Sequence, residues 1–248
     1  MTCTPDERMT VAASRRLRNG DVCFVGIGLP SAAANLARLS HAPDLVLIYE
    51  SGTIGTRPEV LPLSIGDGEL AQTADCLVPL PEIFSHYLQA GRIDLGFLGA
   101  AQIDRHGNLN TTVIGPYDHP KVRLPGAGGA PEIARHAKET LIVMKLGLRT
   151  FVDRLDFVSS AGAGRGKAPS AVITDLGILT PAPDGELTLT ALYEDGTPEA
   201  VQAVTGWPLR VAPVLETEPD PTPQELEVLR ALHARTKAAH ARPPALPL

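Results

Sequence analysis

Four short apolar runs, DVCFVGIG (21–28), DLVLIYE (44–50), DLGFLGAAQID (94–104) and ETLIVMKL (139–146), are separated by segments of helical period such as SAAANLARL, PEIFSHYLQAGR and APEIARHAK. Strands this apolar have no face to offer water, so they belong in the interior of a sheet. Alternation with helices joins them as parallel strands through helical crossovers. The pattern predicts an α/β fold: a mainly parallel open sheet with helices on both faces, in three α/β/α layers.

Smaller signals refine this frame. MTVAASRRLR (9–18) has helical period with Thr10 as its N-cap, and Asn19-Gly20 ends it. Gly26, Gly28 and Pro30 turn the next strand into a helix that Ser31 is placed to cap. DCLVPL (75–80) reads as a strand, and HGNLN (106–110) as a tight turn into TTVIG. Beyond residue 150 the texture changes. AGAGRGKAPS (161–170) reads as a flexible loop; SAVITDLGIL, ELTLTAL and LRVAPV as further strands; PEAVQAVTG and TPQELEVLRALHARTK as helices. The expectation is one domain over residues 1–248, with a core of about 9–156, added strands and an amphipathic helix at about 157–238, and a frayed tail at 239–248.

Composition closes off several functions. Hydrophobic residues make up 44% and charged residues 20%, and no apolar run approaches the roughly 20 residues of a membrane helix. The N-terminus MTCTPDERMT lacks the basic-then-apolar order of a secretory leader, so a cytoplasmic home is expected. Cys3, Cys23 and Cys76 are scattered and read as free thiols, neither a zinc site nor a disulfide framework. A net charge of −6 with 4% aromatics leaves no footprint for nucleic acid. A small molecule or another protein is the expected partner.

The chemistry concentrates at two places. In DLVLIYESGTIGTRP an apolar strand runs into one acid, Glu50, and breaks at Ser51-Gly52. One reading is a ribose-binding acid, since Gly26 and Gly28 follow a strand and Glu50 ends the next one. Against it, Ser31 stands where the dinucleotide fingerprint needs its third glycine, and Pro30 stands between. The other reading is a nucleophile at the carboxyl end of a strand, where open α/β folds bind substrates. The second place is PGAGGAPEIA (125–134), in which Gly126, Gly128 and Gly129 precede a helix and could turn backbone N–H groups toward an anion. A capping or ion-paired acid and an ordinary glycine turn remain open for each motif taken alone.

Taken together, YESGTIG (49–55), LGAAQIDRHGNLNTT (98–112) and LPGAGGAPEIA (124–134) resemble the B (β) subunits of the class I CoA-transferases, over about residues 9–156 and more loosely beyond. The acid is followed by Ser-Gly, the form of the glutaconate and 3-oxoadipate branches. MTVAASRRLRNGDVCFVGIGLPSAAANLARL, ESGTIGTRPEVLPLSIGDGELAQTAD and KVRLPGAGGAPEIA are most similar to the 3-oxoadipate branch.

The resemblance implies roles. Glu50 becomes the nucleophile that carries a glutamyl-CoA thioester, and Gly126, Gly128 and Gly129 form the oxyanion and CoA-binding loop. The reaction would move CoA from succinyl-CoA to 3-oxoadipate, a step of the β-ketoadipate pathway of aromatic catabolism. It implies ping-pong kinetics, a CoA thioester as substrate, no permanently bound cofactor and no metal. It also implies an obligate A (α) subunit in an α₂β₂ or larger assembly. A dicarboxylate leaves a far carboxylate to be held, for which Arg57, Lys121 and Arg123 are the nearby cations; surface ion pairs are the alternative for each. The GNLNT turn (107–111) is expected to shape the sheet edge, with Asn108 not catalytic, and His86, His106 and His119 have no assigned role. Still open are a glutaconate or other short-chain carboxylate transferase, a CoA-thioester or ring-cleaving hydrolase on the same fold, and a dinucleotide-binding or scaffold protein.

Overall fold

The computed structural model describes residues 3–241 and divides into two compact units, one of residues 3–80 with 221–241 and one of 81–220. The chain is α/β with mainly parallel central strands.

The first unit holds α1 (Pro5–Ser14), β1 (Val22–Phe24), α2 (Leu29–Leu39), β2 (Val46–Ile48), β3 (Thr53–Ile54), α3 (Gly68–Gln72), β4 (Cys76–Leu77) and the C-terminal helix Pro223–His240. β1 and β2 pair in parallel, and β2–β3–β4 continue as an antiparallel ribbon. The helix expected at 9–18 begins earlier, because Thr4-Pro5-Asp6-Glu7 is a capping box. Thr4 Oγ1 accepts from the Glu7 amide at 3.2 Å, and Glu7 Oε2 accepts from the Thr4 amide at 2.8 Å. Thr10 lies inside the helix, its hydroxyl donating to the Asp6 carbonyl.

The C-terminal helix opens on a second such box, Thr222 with Glu225. The two helices exchange arginines. Arg230 donates to both Glu7 oxygens at 2.6 and 3.0 Å, and Arg15 to both Glu225 oxygens at 2.8 and 2.7 Å. The Arg230 guanidinium beside Glu7 holds its carboxyl down at about 2. Between them Val11, Ala32, Leu36 and Leu229 form an apolar cluster. The helix continues to His240 with Ala241 as its C-cap, so residues 239–241 of the expected frayed tail belong to the helix end; 242–248 lie outside the described residues.

The helix expected to be capped by Ser31 starts instead from Gly28, at φ +84° and ψ −132°, with Leu29 and Pro30 in its first turn. Ser31 is the third residue of the helix and fully buried. The strand expected at 75–80 shortens to Cys76–Leu77.

The second unit runs through a short helix (Leu80–Glu82, entering it from the first unit) that passes into a π-helical turn (Ile83–Leu88). β5 (Leu95–Leu98), β6 (Gln102–Ile103), β7 (Leu109–Asn110), β8 (Val113–Ile114) and β9 (Val122–Arg123) follow, then the helix Ala130–His136. The last strands are β10 (Glu139–Val143), β11 (Ala171–Ile173), β12 (Gly177–Pro181), β13 (Leu187–Tyr193) and β14 (Arg210–Glu218), with the helix Pro198–Ala203 before β14. β10 lies parallel to both β5 and β11, and every residue of β5 is buried.

Two expected strands divide. DLGFLGAAQID breaks after Leu98, and its second half pairs with β7 in a separate ribbon. SAVITDLGIL folds into the β11–β12 hairpin, because the Thr174 hydroxyl accepts from the Leu176 and Gly177 amides and closes a local turn. The 161–170 segment is pinned rather than free. The Gly162 amide donates to Asn108 Oδ1, the Ala163 amide to the His106 carbonyl, and Lys167 Nζ to the Ala137 and Lys138 carbonyls at the end of the helix Ala130–His136.

Candidate functional site

Glu50 sits at the apex of the β2–β3 hairpin. The Tyr49 amide donates to the Thr53 carbonyl at 3.1 Å, and the Gly52 amide to the Tyr49 carbonyl at 3.0 Å, closing a four-residue turn with Glu50 and Ser51 at its tip. Gly52 has φ +105°, and a Cβ there would stand 2.0 Å from the Val78 carbonyl oxygen. The Val78 amide donates back to the Gly52 carbonyl at 3.0 Å. The turn is therefore gripped from outside by the chain after β4, and only glycine fits the grip. Glu50 is half-buried, and its carboxylate makes no hydrogen bond or ion pair with another described residue.

Beneath this turn lies a run of buried polar contacts that the sequence reading did not find. Tyr49 is fully buried, and its hydroxyl shares a 2.8 Å hydrogen bond with Ser31 Oγ. Burial pushes the Tyr49 phenol up to about 12. Asn35 Nδ2 donates to the Ser31 carbonyl at 2.9 Å, and Arg38 Nη2 donates to Asn35 Oδ1 at 3.2 Å and to the Pro58 carbonyl at 2.8 Å. The signal was present in SAAANLARL, where Ser31, Asn35 and Arg38 fall at i, i+4 and i+7 on one face of a helix that is otherwise mostly alanine and leucine.

The glycine loop belongs to the second unit. Gly126 and Gly128 have φ +104° and +51°, and Gly129 caps the helix Ala130–His136 without a side-chain cap bond. The Gly126 amide is already used, donating to the Thr111 carbonyl at 2.9 Å. Among the described residues, the amides of Ala127, Gly128 and Gly129 have no partner. The loop thus offers free donors, but they begin one residue later than the sequence suggested.

The three candidate cations differ. Arg57, in the first unit, meets Asp75 with both ends of its fork, at 2.9 and 3.3 Å, in an exposed ion pair. Arg123 lies with its guanidinium 5.0 Å from the Tyr117 ring centroid and donates to the Tyr117 carbonyl at 3.1 Å, while Tyr117 stacks on Phe157. Lys121 is exposed, and its ammonium has no partner among the described residues. Lys121 and Arg123 share one side of the β8–β9 hairpin that leads into the glycine loop.

Asn108 and Asn110 spend their side chains internally. Asn108 binds Asp104 and the Gly162 amide; Asn110 binds Gln102 and the Val113 backbone. A cleft of about 640 Å³ in the second unit contains none of the expected site residues. The four acids that line it are all engaged: Asp104 with Asn108, Asp153 with Arg105, Asp156 with Gln102, and Asp184 with Arg210. Among the described residues no group of three His, Cys, Asp or Glu side chains could hold a metal ion, and no helix is long and apolar enough to cross a membrane.

A family profile described as Coenzyme A transferase matches residues 6–203. The chain is 61% identical to the B (β) subunit of 3-oxoadipate CoA-transferase of Pseudomonas knackmussii, over 96% of both chains. It is 36% identical to the B (β) subunit of glutaconate CoA-transferase of Acidaminococcus fermentans, over 88% of both. The crystal structure of that glutaconate CoA-transferase superposes with a TM-score of 0.85, at 34% identity over 92% of this chain and 94% of the other. The crystal structure of IpdAB from Rhodococcus jostii superposes at a TM-score of 0.76 and 25% identity, over 95% and 99%.

Proposed function

The chain belongs to the coenzyme A transferase family, and on that premise we propose that it is the B (β) subunit of a succinyl-CoA:3-oxoadipate CoA-transferase. The observation that carries the choice of acceptor is the 61% identity along nearly the whole of both chains, against 36% for the glutaconate relative. Glu50 is the nucleophile. Its carboxylate stands at a turn tip with no partner among the described residues.

In the reaction Glu50 attacks the thioester carbonyl of succinyl-CoA, and the C–S bond breaks to release CoA thiolate and leave a mixed anhydride. The thiolate attacks the Glu50 carbonyl of that anhydride, expelling succinate and forming the glutamyl-CoA thioester. The 3-oxoadipate carboxylate then attacks the thioester, and the released thiolate takes the 3-oxoadipyl group, restoring Glu50. Each step exchanges carboxylate and thiolate nucleophiles, so no general base and no permanently bound cofactor is required. The charge on each oxyanion calls for backbone N–H donors, and among the described residues the glycine loop of the second unit has such donors free at Ala127, Gly128 and Gly129. Of the three candidate cations for the far carboxylate, Lys121 is the one whose charge has no partner among the described residues. The working enzyme is a cytoplasmic hetero-oligomer with an α subunit, α₂β₂ or larger.

The test is the intact mass of this chain, co-purified with its α subunit and incubated with succinyl-CoA, followed by peptide mapping. A CoA thioester on Glu50 that 3-oxoadipate discharges and glutaconate does not is the expected result. CoA release without an adduct, with Glu50→Ala still active, would overturn transfer in favour of hydrolysis.

A further inference from the structure

The buried polar run beneath Glu50 is a closed circuit. It leaves the chain at Tyr49, passes through Ser31, Asn35 and Arg38 on one face of α2, and returns at Pro58, four residues beyond β3, so that the strand before Glu50 and the chain that follows the hairpin are tied to the same helix. Tyr49, Ser31 and Asn35 are completely buried. A helix packed this deeply is at least as stable with apolar residues of the same size, since exchanging both partners of a buried hydrogen bond for apolar groups is nearly neutral. What apolar packing does not supply is direction: hydrogen bonds fix one orientation of the ring and of the backbone attached to it.

We propose that Tyr49, Ser31, Asn35 and Arg38 are positioning residues that fix the direction in which the Glu50 carboxylate leaves the turn. The inference rests on Glu50 being the nucleophile. Glu50 is the next residue after Tyr49, so a rotation of the Tyr49 backbone is passed to it directly. The Gly52–Val78 contact grips the far side of the turn, and the circuit grips the near side. An attacking carboxylate held this way meets the thioester carbonyl without first searching for its approach, and misplacement by about 1 Å costs on the order of 100-fold in rate. The same circuit accounts for the serine that stands where a dinucleotide fingerprint would have glycine: its hydroxyl is used by the neighbouring strand.

The experiment uses the complex with the α subunit and the double variant Ser31→Ala/Tyr49→Phe, which removes both hydroxyls of the Tyr49–Ser31 hydrogen bond together. Rapid-quench mass spectrometry with succinyl-CoA reads the rate at which the Glu50 thioester forms, beside kcat, KM and melting temperature. The expected result is a fall of about 10- to 100-fold in adduct formation and kcat. KM and melting temperature stay close to the parent, and Ser31→Thr alone, which keeps a hydroxyl, retains most of the rate. Should the double variant fail to assemble, Arg38→Gln, at the half-buried end of the circuit, carries the same measurement. Parent-like adduct formation in a variant that has lost the contacts overturns the positioning role, as does a rate loss that only tracks the melting temperature. Absence of a Glu50 adduct in the parent complex overturns instead the assignment of the nucleophile.

Discussion

Glu7 and Glu50 stand in the same unit and are treated in opposite ways. Glu7 is the third helical residue of a capping box, bound by its own Thr4 amide and by both arms of Arg230, and its carboxyl is held down at about 2. Glu50 rests on a turn whose backbone is tied at every side, while the carboxylate itself meets no other described residue. The ordered groups around Glu7 end on its oxygens; those around Glu50 end one residue short of them. A charge whose hydrogen-bonding capacity is filled serves the fold, whereas a charge on an over-determined backbone with its oxygens left open is available to a substrate.

The comparison breaks most visibly at Glu50. Glu50→Ala is expected to lower kcat by on the order of 10⁴-fold or more with no loss of melting temperature, measured by steady-state transfer and calorimetry on the complex; a loss below tenfold would remove it from the chemistry. Next comes the grip on its turn. Gly52→Ala forces a Cβ to within 2.0 Å of the Val78 carbonyl, and urea denaturation should show destabilisation of about 3 kcal/mol. An unchanged midpoint would mean that the strap after β4 yields and does not grip the turn.

At the other pole, Glu7→Gln should cost about 1 kcal/mol, because its arginine partner is partly exposed, and should leave kcat unaltered. A clear kcat change would erase the distinction between the two acids. The smallest effect is in acid. Because the folded Glu7 titrates near 2, below its ordinary 4.5, its contribution is fully present above about pH 4.5 and disappears as pH falls toward 2. Acid-unfolding curves of parent and Glu7→Gln should therefore converge across that window; parallel curves would show that the ion pair carries no stability.

The Glu50 half of this contrast is legible in the sequence. The alternation of apolar runs and helices gave the α/β class, and the ESG and GAGG motifs singled out Glu50 and the glycine loop. Boundaries were less legible. Thr4 and Thr10 both precede residues of helical period, and what separates them is the glutamate three residues after Thr4, the mark of a capping box. SAVITDLGIL read as one strand because the turn inside it is made by a threonine hydroxyl rather than by a proline or a glycine pair. Ser31 read as a cap for the same reason that serines usually are caps; that its hydroxyl serves Tyr49 depends on a strand 18 residues away.

Sequence alone, then, decided what is local or periodic: which segments bury both faces, which acid ends a strand, and where glycines free the backbone. Those properties follow from side-chain volume, polarity and φ preference over a few residues. Tertiary structure decided which polar groups are spent and which are left. Arg57 is taken by Asp75, the Gly126 amide by Thr111 and the Ser31 hydroxyl by Tyr49, while the Glu50 oxygens and the amides of Ala127, Gly128 and Gly129 remain open. A hydrogen bond needs its partner within about 3 Å, and which groups come that close is set by how distant segments pack, a relation that no stretch of the chain contains by itself.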